Sequence, residues 1–146
     1  MASVHNDASY RFWCEEKLRN MDTDQFGHVN NAAIASFCEA GRMSLFSEPE
    51  MAGAMGERTV VVVRLLILFR QELFYPGIVR VGSRVPKIGR TSFDVVQGVF
   101  KGPELVATSE ATCVLLDGRS RRPVPVSESI RQFLLGPEPM GAFDAG

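Results

Sequence analysis

The chain has 146 residues, and its 16 lysines and arginines are balanced by 17 aspartates and glutamates, for a formal net charge of −1. This length fits one domain spanning 1–146, and an apolar content of 45% is typical of a globular chain rather than a disordered one. The balanced charge argues against nucleic acid as a partner, because nucleic-acid-binding proteins usually present a basic face.

The three cysteines lie far apart, without the close spacing that binds metals. We expect them to be small buried side chains without disulfides, as in a reducing compartment. The longest apolar stretch, 59–69, contains Arg64 and is shorter than the roughly 18 residues that a membrane-spanning helix needs. No secretory signal is visible at the N-terminus. The sequence therefore predicts a soluble, cytoplasmic protein that does not enter a membrane.

The predicted elements begin with a strand over 10–19, a polar loop over 20–30 and a long helix. An asparagine at 30 or 31 suits the N-cap of this helix, because its side-chain oxygen accepts a free backbone N–H. Pro49 and the glycines at 53 and 56 are expected to end the helix. Apolar residues three and four apart form one helix face: Ile34, Phe37, Cys38, Gly41 and Leu45.

Four more strands, joined by short turns, are predicted at 59–73, 78–88, 91–100 and 104–116. The first is apolar at consecutive positions, which is typical of a strand covered on both faces; we expect the helix on one face and another subunit on the other. Ser127 suits the N-cap of a last helix ending near Leu135, and 136–146 is predicted to be a flexible tail. One helix against one antiparallel sheet gives an α+β domain with its core at about 10–135.

The densest polar cluster, 22–28, lies directly before the long helix. A calcium loop would need an oxygen ligand and a glutamate where Phe26 and Ala33 stand. A transition-metal site on Asp22, Asp24 and His28 is disfavoured by the single nearby histidine and the lack of a cysteine. The sequence therefore predicts no metal at this cluster.

Acid–base or nucleophilic chemistry is the third interpretation of this cluster. Free N–H groups at a helix start bind developing negative charge, and a carboxylate beside them tends to stay ionised. A carbonyl bound there would be polarised, with the carboxylate placed to attack it or to activate water. The residues alone leave the plainer alternative open, in which one aspartate caps the loop and the other is solvated.

The run Asp22-Thr23-Asp24-Gln25-Phe26-Gly27-His28-Val29-Asn30-Asn31-Ala32, with Glu39 and Arg42 after it, resembles a family of hotdog-fold acyl-CoA thioesterases, the 4-hydroxybenzoyl-CoA thioesterase type. The resemblance continues through 87–93 and 121–126, and so covers about 10–135. It implies a hotdog fold, with an antiparallel sheet wrapped around one long helix, and hydrolysis of acyl-CoA to a free acid and CoA. It implies no cofactor, because CoA is part of the substrate, and it implies dimers that commonly form homotetramers.

By this resemblance, Asp24 is the catalytic carboxylate, acting as nucleophile or general base. The oxyanion is expected at backbone N–H groups near Asn31, with Gly27 and His28 beside it, while Asp22 supports the loop. His28 is equally compatible with a purely structural role. Paired with Glu39, it would resemble a hotdog dehydratase, but the residues after it do not fit the dehydratase motif.

Substrate contacts are also implied by the resemblance. Ile34 and Phe37 are expected to line the acyl pocket, where the family often has tyrosines. Without those hydroxyl groups, an aliphatic acyl group is a possible substrate. Phe37 could equally be a core residue. Lys87, Arg90 and Ser92 are the expected contacts of CoA, whose phosphates attract cations. The alternative function is a hotdog module that binds acyl-CoA or acyl carrier protein without turnover.

Overall fold

The computed structural model describes residues 9–136, so the predicted tail at 136–146 lies outside the described residues except for Gly136. None of the helices within 9–136 has the length and apolar character needed to cross a membrane. In chain order the elements are β1 (Phe12–Lys17), a 3-10 turn (Asn20–Asp22), α1 (Asn31–Phe46), α2 (Pro49–Met55), β2 (Arg58–Phe69), β3 (Ile78–Ile88), β4 (Ser92–Lys101), β5 (Glu104–Asp117) and α3 (Glu128–Leu135).

The five strands form one antiparallel sheet in the order β1-β3-β4-β5-β2. Helix α1 packs across β1, β3 and β4. A long helix against an antiparallel sheet is the arrangement expected of a hotdog fold, and the α+β prediction is confirmed.

Helix α1 begins where its N-cap was expected. The Asn30 side chain accepts a hydrogen bond from the Ala33 N–H at 2.7 Å. The predicted apolar face is buried along its whole length. Gly41 lets this face approach the sheet closely, since a Cβ at that position would lie 2.6 Å from Cγ1 of Val81. The second half of α1 is thereby packed closely against β3.

Pro49 does not end the long helix as expected. Helix α1 ends at Phe46, and Pro49 is the first residue of α2. Proline fits the first helical position because its fixed φ suits a helix and its missing N–H would have no partner there. Gly56, with φ +58°, follows the end of α2, in the conformation that favours glycine.

Strand β2 differs from its prediction in length and in cover. It ends at Phe69 rather than near 73, and it is an edge strand that pairs only with β5. Helix α1 lies over β1, β3 and β4 instead of covering β2, so the expectation of helix cover is wrong. Six apolar side chains of β2 are between 37% and 62% exposed: Val62, Val63, Leu65, Leu66, Leu68 and Phe69. Cover by another subunit stays a prediction.

Candidate functional site

The polar loop before α1 is a tight hairpin. Thr23 and Val29 form an antiparallel bridge, and the Asp24 N–H donates to the His28 carbonyl at 3.0 Å. The Gly27 N–H donates to the Asp24 carbonyl at 3.1 Å, closing a turn in which Gly27 has φ +91°. That backbone conformation favours glycine, so Gly27 shapes the turn that presents Asp24 and His28.

The Asp24 carboxylate is accessible and lies beside His28. Its Oδ1 accepts from the Phe26 N–H at 2.9 Å, and its Oδ2 is 3.5 Å from Nε2 of His28. Both side chains are about 30% exposed, at 30% for Asp24 and 31% for His28. The carboxylate is therefore oriented by the loop yet remains open to a ligand.

Asp22 is in a different environment, because it is buried and both oxygens of its carboxylate accept hydrogen bonds. Its carboxylate accepts from the Arg19 guanidinium at 2.9 Å and from the Arg19 N–H at 2.8 Å. These hydrogen bonds, chiefly the one from the guanidinium, hold the pKa of Asp22 below its usual range. Its carbonyl accepts from the Asn30 N–H at 2.9 Å, so Asp22 ties the loop to the N-cap of α1.

A cavity of about 210 Å³ lies between the start of α1 and the end of β2. It brings together three residues expected at the site, His28, Asn31 and Ile34. Asp24 is not among the lining residues but contacts His28, which is. The segment 69–73, which the sequence did not indicate, lines the opposite wall. The first backbone N–H groups of a helix have no partner within the helix, and Asn31, the first residue of α1, lines this cavity.

Phe37, expected in the acyl pocket, lies elsewhere. It is 4% exposed and packs in the core with Leu18, Val29 and Val79, and it is not a lining residue of this cavity. Ile34 belongs to the same buried cluster, but Phe37 lies almost one turn farther along α1 and so farther from the cavity at the helix start. Ile34 is therefore the member of the predicted pair that reaches the cavity.

A second cavity, of about 360 Å³, holds two of the three residues expected to contact CoA. Lys87 and Ser92 line it, whereas Arg90 is exposed on the adjoining turn and does not. Arg64 of β2 supplies another cation, which in the sequence has the character only of an interruption in an apolar stretch. The two cavities share no lining residue, so within one chain the predicted catalytic and CoA residues lie apart.

Glu39 and Arg42 do not pair with each other, although they are three residues apart on α1. Arg42 is 4% exposed and donates from Nη1 to Oε1 of Gln97 at 3.2 Å, while Glu39 is exposed. Across the stretch that the structure describes, Arg42 forms no ion pair. Gln97 of β4 comes from a distant part of the chain, and no local pattern could have placed it opposite Arg42.

Two further side chains that could act as nucleophiles are cysteines, and both are buried. Cys38 and Cys113 are fully buried, and burial raises the pKa of each thiol to about 11, so neither provides a nucleophilic thiolate at neutral pH. Between residues 9 and 136, no group of three or more histidine, cysteine, aspartate or glutamate side chains could hold a metal ion.

Comparison with known proteins places these features in a family. A family model described as the thioesterase-like superfamily matches residues 18–134. A curated relative, the chloroplastic acyl-acyl carrier protein thioesterase ATL2 of Arabidopsis thaliana, is 29% identical over 126 residues. That match covers 82% of this chain and 65% of the relative, so the chain spans about two thirds of the relative's length.

Solved structures share the fold over most of the chain. A thioesterase of Thermus thermophilus, complexed with coenzyme A and Zn, is 29% identical, with a TM-score of 0.74 and coverage of 86% of this chain and 92% of that one. The PA5185 protein of Pseudomonas aeruginosa, at 24% identity, covers 89% of this chain and 93% of its own with a TM-score of 0.78. YbaW of Escherichia coli, a probable thioesterase at 21% identity, covers 85% and 96% with a TM-score of 0.75.

Proposed function

The chain belongs to the thioesterase-like superfamily, and from this premise we propose that it hydrolyses an acyl-CoA thioester to a free carboxylic acid and CoA. The observation that carries the proposal is the accessible Asp24 carboxylate, held beside His28 at the edge of a cavity that opens onto the start of α1. A carboxylate held beside a cavity and a helix N-terminus at the wall of that cavity are the two groups that attack on a thioester requires.

In the proposed reaction, the thioester carbonyl lies in the cavity with its oxygen toward the first N–H groups of α1, near Asn31. These donors and the helix dipole stabilise the negative charge that develops on the oxygen. Asp24 either attacks the carbonyl carbon, forming an anhydride that water then hydrolyses, or removes a proton from an attacking water. In both routes the C–S bond breaks and its electron pair leaves with the CoA thiolate.

The supporting residues act on Asp24 rather than on the substrate. Asp22 fixes the loop to the N-cap Asn30, Gly27 permits the turn, and the Phe26 N–H orients one carboxylate oxygen. His28 lies 3.5 Å from the other oxygen and also lines the cavity. The fold therefore supplies a preoriented carboxylate, which is the feature that separates an attacking group from a solvated one.

We also propose that the active form is a homo-oligomer built on β2. The edge of β2 has no partner strand within the described chain, and its apolar side chains are exposed. Two copies related by a two-fold axis would pair β2 antiparallel with its own copy. Such pairing fits an isologous interface, because both copies present the same surface.

This pairing would bring the two cavities of different copies nearer to each other along the strand direction. Ser92 pairs with Val114, and Val114 pairs with Val61 in the first half of β2, whereas Phe69 at the end of β2 lines the His28 cavity. Antiparallel pairing sets the first half of one β2 against the second half of the other. The partner subunit's Lys87 and the partner subunit's Ser92 would then lie near the same end of β2 as the His28 cavity.

The carrier of the acyl group has two candidates. The Arabidopsis relative is named for acyl carrier protein, and the Thermus structure contains coenzyme A. The cations Arg64 and Lys87 suit the phosphate that both carriers present. We favour CoA because the formal net charge of −1 offers no general attraction to an acidic carrier protein.

The test is steady-state hydrolysis of a panel of acyl-CoA and acyl-carrier-protein thioesters, followed by release of free thiol. Wild-type protein is compared with Asp24→Asn, and Glu50→Gln on the exposed side of α2 is the matched control. We expect Asp24→Asn to lower kcat by roughly 100-fold or more, because it removes the attacking or proton-accepting group, and the control to match wild type.

Two results would contradict parts of this proposal. An unchanged rate in Asp24→Asn, with an intact fold by circular dichroism, would show that Asp24 is not the catalytic residue. Tight binding of acyl-CoA without thiol release across the whole panel would support the alternative of a binding module without turnover.

A further inference from the structure

His28 connects Asp24 with the cavity at the start of α1. Of the three titratable side chains in the loop over 20–30, only that of His28 lines this cavity. The Asp24 carboxylate does not line it, but its Oδ2 is 3.5 Å from Nε2 of His28. A ligand in this cavity therefore meets the imidazole, and the carboxylate reaches that ligand through His28.

The position of the Asp24 carboxylate assigns the proton of the imidazole. Oδ1 accepts from the Phe26 N–H at 2.9 Å, and Oδ2 faces Nε2 of His28. An ionised carboxylate can only accept hydrogen bonds, so the proton of the neutral imidazole is best placed on Nε2. Nδ1 then carries a lone pair, and within residues 9–136 it has no hydrogen-bond partner. A free lone pair of this kind can take a proton from water.

The separation of 3.5 Å between Oδ2 and Nε2 suits an enzyme without substrate. Hydrogen bonds between catalytic groups are commonly long in that state and shorten in the substrate complex. A closure of about 0.5 Å brings the two atoms into hydrogen-bond range. Both side chains are partly exposed, so packing does not prevent this movement.

The backbone on both sides of the imidazole is fixed. The His28 carbonyl accepts from the Asp24 N–H at 3.0 Å, and the next N–H, that of Val29, donates to the Leu73 carbonyl at 2.7 Å. Val29 itself is buried. His28 is therefore held relative to both its own hairpin and the segment 69–73 that forms the opposite wall of the cavity.

The imidazole lies close to the proposed oxyanion donors. Asn31, the first residue of α1, lines the same cavity and follows His28 by three residues, which span at most about 10 Å. A thioester whose carbonyl oxygen lies at the start of α1 therefore has its carbonyl carbon within reach of a water molecule bound to His28. Attack by water needs this combination of a base and an oxyanion site around one carbon atom.

The charges that face His28 favour its protonated form during the reaction. Asp24 faces it from the hairpin, and Arg70 and Glu72 line the opposite wall of the cavity. Helix α1 adds no charge to this wall, since its lining residues are Asn31 and Ile34. Two carboxylates and one guanidinium leave an excess of one negative charge, which stabilises the imidazolium that forms when His28 takes a proton.

We propose that His28 is the catalytic base of the hydrolysis and that Asp24 is a positioning residue that acts through it. The carboxylate orients the imidazole and stabilises its protonated form. The inference rests on the proposed thioesterase function and selects the second of its two routes, attack by water.

The proposed reaction balances without a further reactant. Nδ1 of His28 takes a proton from water as the water oxygen bonds to the carbonyl carbon, and the carbonyl electron pair moves to the oxygen near Asn31. This pair then restores the C=O bond while the C–S bond breaks. The sulfur leaves with the electrons of that bond and receives the proton from the imidazolium, so the products are a carboxylic acid and the CoA thiol.

The experiment is the pH dependence of kcat/KM for the acyl-CoA that the wild-type protein hydrolyses fastest. An imidazole base becomes protonated below about pH 6–7, whereas a carboxylate base stays ionised down to about pH 4. We expect kcat/KM of the wild type to fall about tenfold per pH unit below about pH 6, since one proton inactivates the base.

Two variants separate the roles of His28 and Asp24. We expect His28→Gln to lower kcat by roughly 100-fold or more with KM within about threefold of wild type, and to abolish the decline at acid pH, because the base is lost while the cavity remains. Asp24→Asn should also be slower, but it should keep the decline at acid pH because its base is still present. Glu50→Gln on α2, the control of the hydrolysis assay, should keep the wild-type profile.

Failure of this inference differs from failure of the proposed function. A wild-type decline only near pH 4, or a decline that His28→Gln retains and Asp24→Asn loses, would overturn the inference while hydrolysis itself stands. If His28→Gln does not fold, the profiles of the wild type and Asp24→Asn decide the matter by the same criterion. A wild-type protein that releases no thiol at any pH would instead refute the proposed function, and the inference with it.

Discussion

Asp22 and Asp24 are two residues apart, and their surroundings assign them different tasks. The Asp22 carboxylate is buried and receives hydrogen bonds from both the backbone and the guanidinium of Arg19. The Asp24 carboxylate receives one hydrogen bond from the loop and otherwise faces His28 and solvent. Only Asp24 is free to act on a substrate, and Asp22 maintains the loop from which it acts.

The lowered pKa of Asp22 predicts a pH-dependent contribution to stability. Because the pKa in the folded state lies below the ordinary value of 3.8, the ionised carboxylate stabilises the fold above that value. The contribution is lost as the pH falls through the lowered pKa. We expect Asp22→Asn to lower the Tm at neutral pH and to have little effect at a pH below the folded-state pKa.

The measurement is thermal unfolding of wild type and Asp22→Asn across that pH range. Asp24→Asn is the matched control, because its carboxylate is more exposed and has no Arg partner. A Tm difference that does not change with pH would contradict the assigned role of the Arg19–Asp22 ion pair.

The sequence predicts which groups lie together where they are close along the chain, but not where they meet across the sheet. Asp24, His28 and Asn31 lie within eight consecutive residues, so a single motif was enough to predict that they lie close together, and their roles stay a prediction. The cation at Arg42 depends on Gln97, which is 55 residues away along the chain. Phe37 and Ile34 looked equivalent in the sequence, and only the packing of α1 separates them.

At the scale of elements, the contact between α1 and the sheet depends on one small residue. A Cβ at Gly41 would lie 2.6 Å from Cγ1 of Val81 and 2.7 Å from Nε2 of Gln97, both of them buried side chains. The close approach therefore sets the distance between the helix and the sheet, and with it the position of Gln97 and Arg42.

We predict that Gly41→Ala destabilises the protein by about 1–3 kcal/mol, because overpacking of the core outweighs the better helix propensity of alanine. Gly53→Ala in α2 is the control. A Cβ at Gly53 meets nothing within 4 Å, so the substitution should stabilise the protein by about 0.5–1 kcal/mol. Urea unfolding measures both, and a stabilised Gly41→Ala would contradict the close packing described above.

The elements themselves were largely predictable, and their ends were not. Strand β3 agrees with its predicted range, and Ser127 caps α3 by accepting from the Ile130 N–H at 3.3 Å. Pro49 was assigned to the end of the long helix because proline is unfavourable inside a helix. Proline is, however, favourable at the first position of a helix, which is where it lies in α2. The apolar run of β2 predicts that both faces of this strand are covered, but a single sequence does not tell whether the same chain or another subunit covers them.

At the scale of the whole molecule, the proposed assembly depends on the free edge of β2. We predict that Val63→Lys, at a position 62% exposed on this edge, shifts the protein from dimer to monomer, because the two-fold axis would bring the introduced charges together. Light scattering coupled to size exclusion gives the molar mass of each form.

Met21→Lys is the control for this assembly experiment. Met21 is 74% exposed in the 3-10 turn, away from β2, so the same charge change there should leave the molar mass unaltered. A wild-type protein that is monomeric at all concentrations, or a Val63→Lys protein that remains dimeric, would refute pairing through β2.

The same free edge has a consequence for the production of the protein. A strand of twelve residues with unpaired backbone groups and few charges is a template on which any extended chain can add. Newly made copies would be exposed to aggregation until they meet one another, and association would then contribute to their apparent stability by mass action. Under the proposed pairing, dilution should lower the stability of the fold. The refolding yield should depend on whether β2 pairs with another folded copy before it pairs with a misfolded chain.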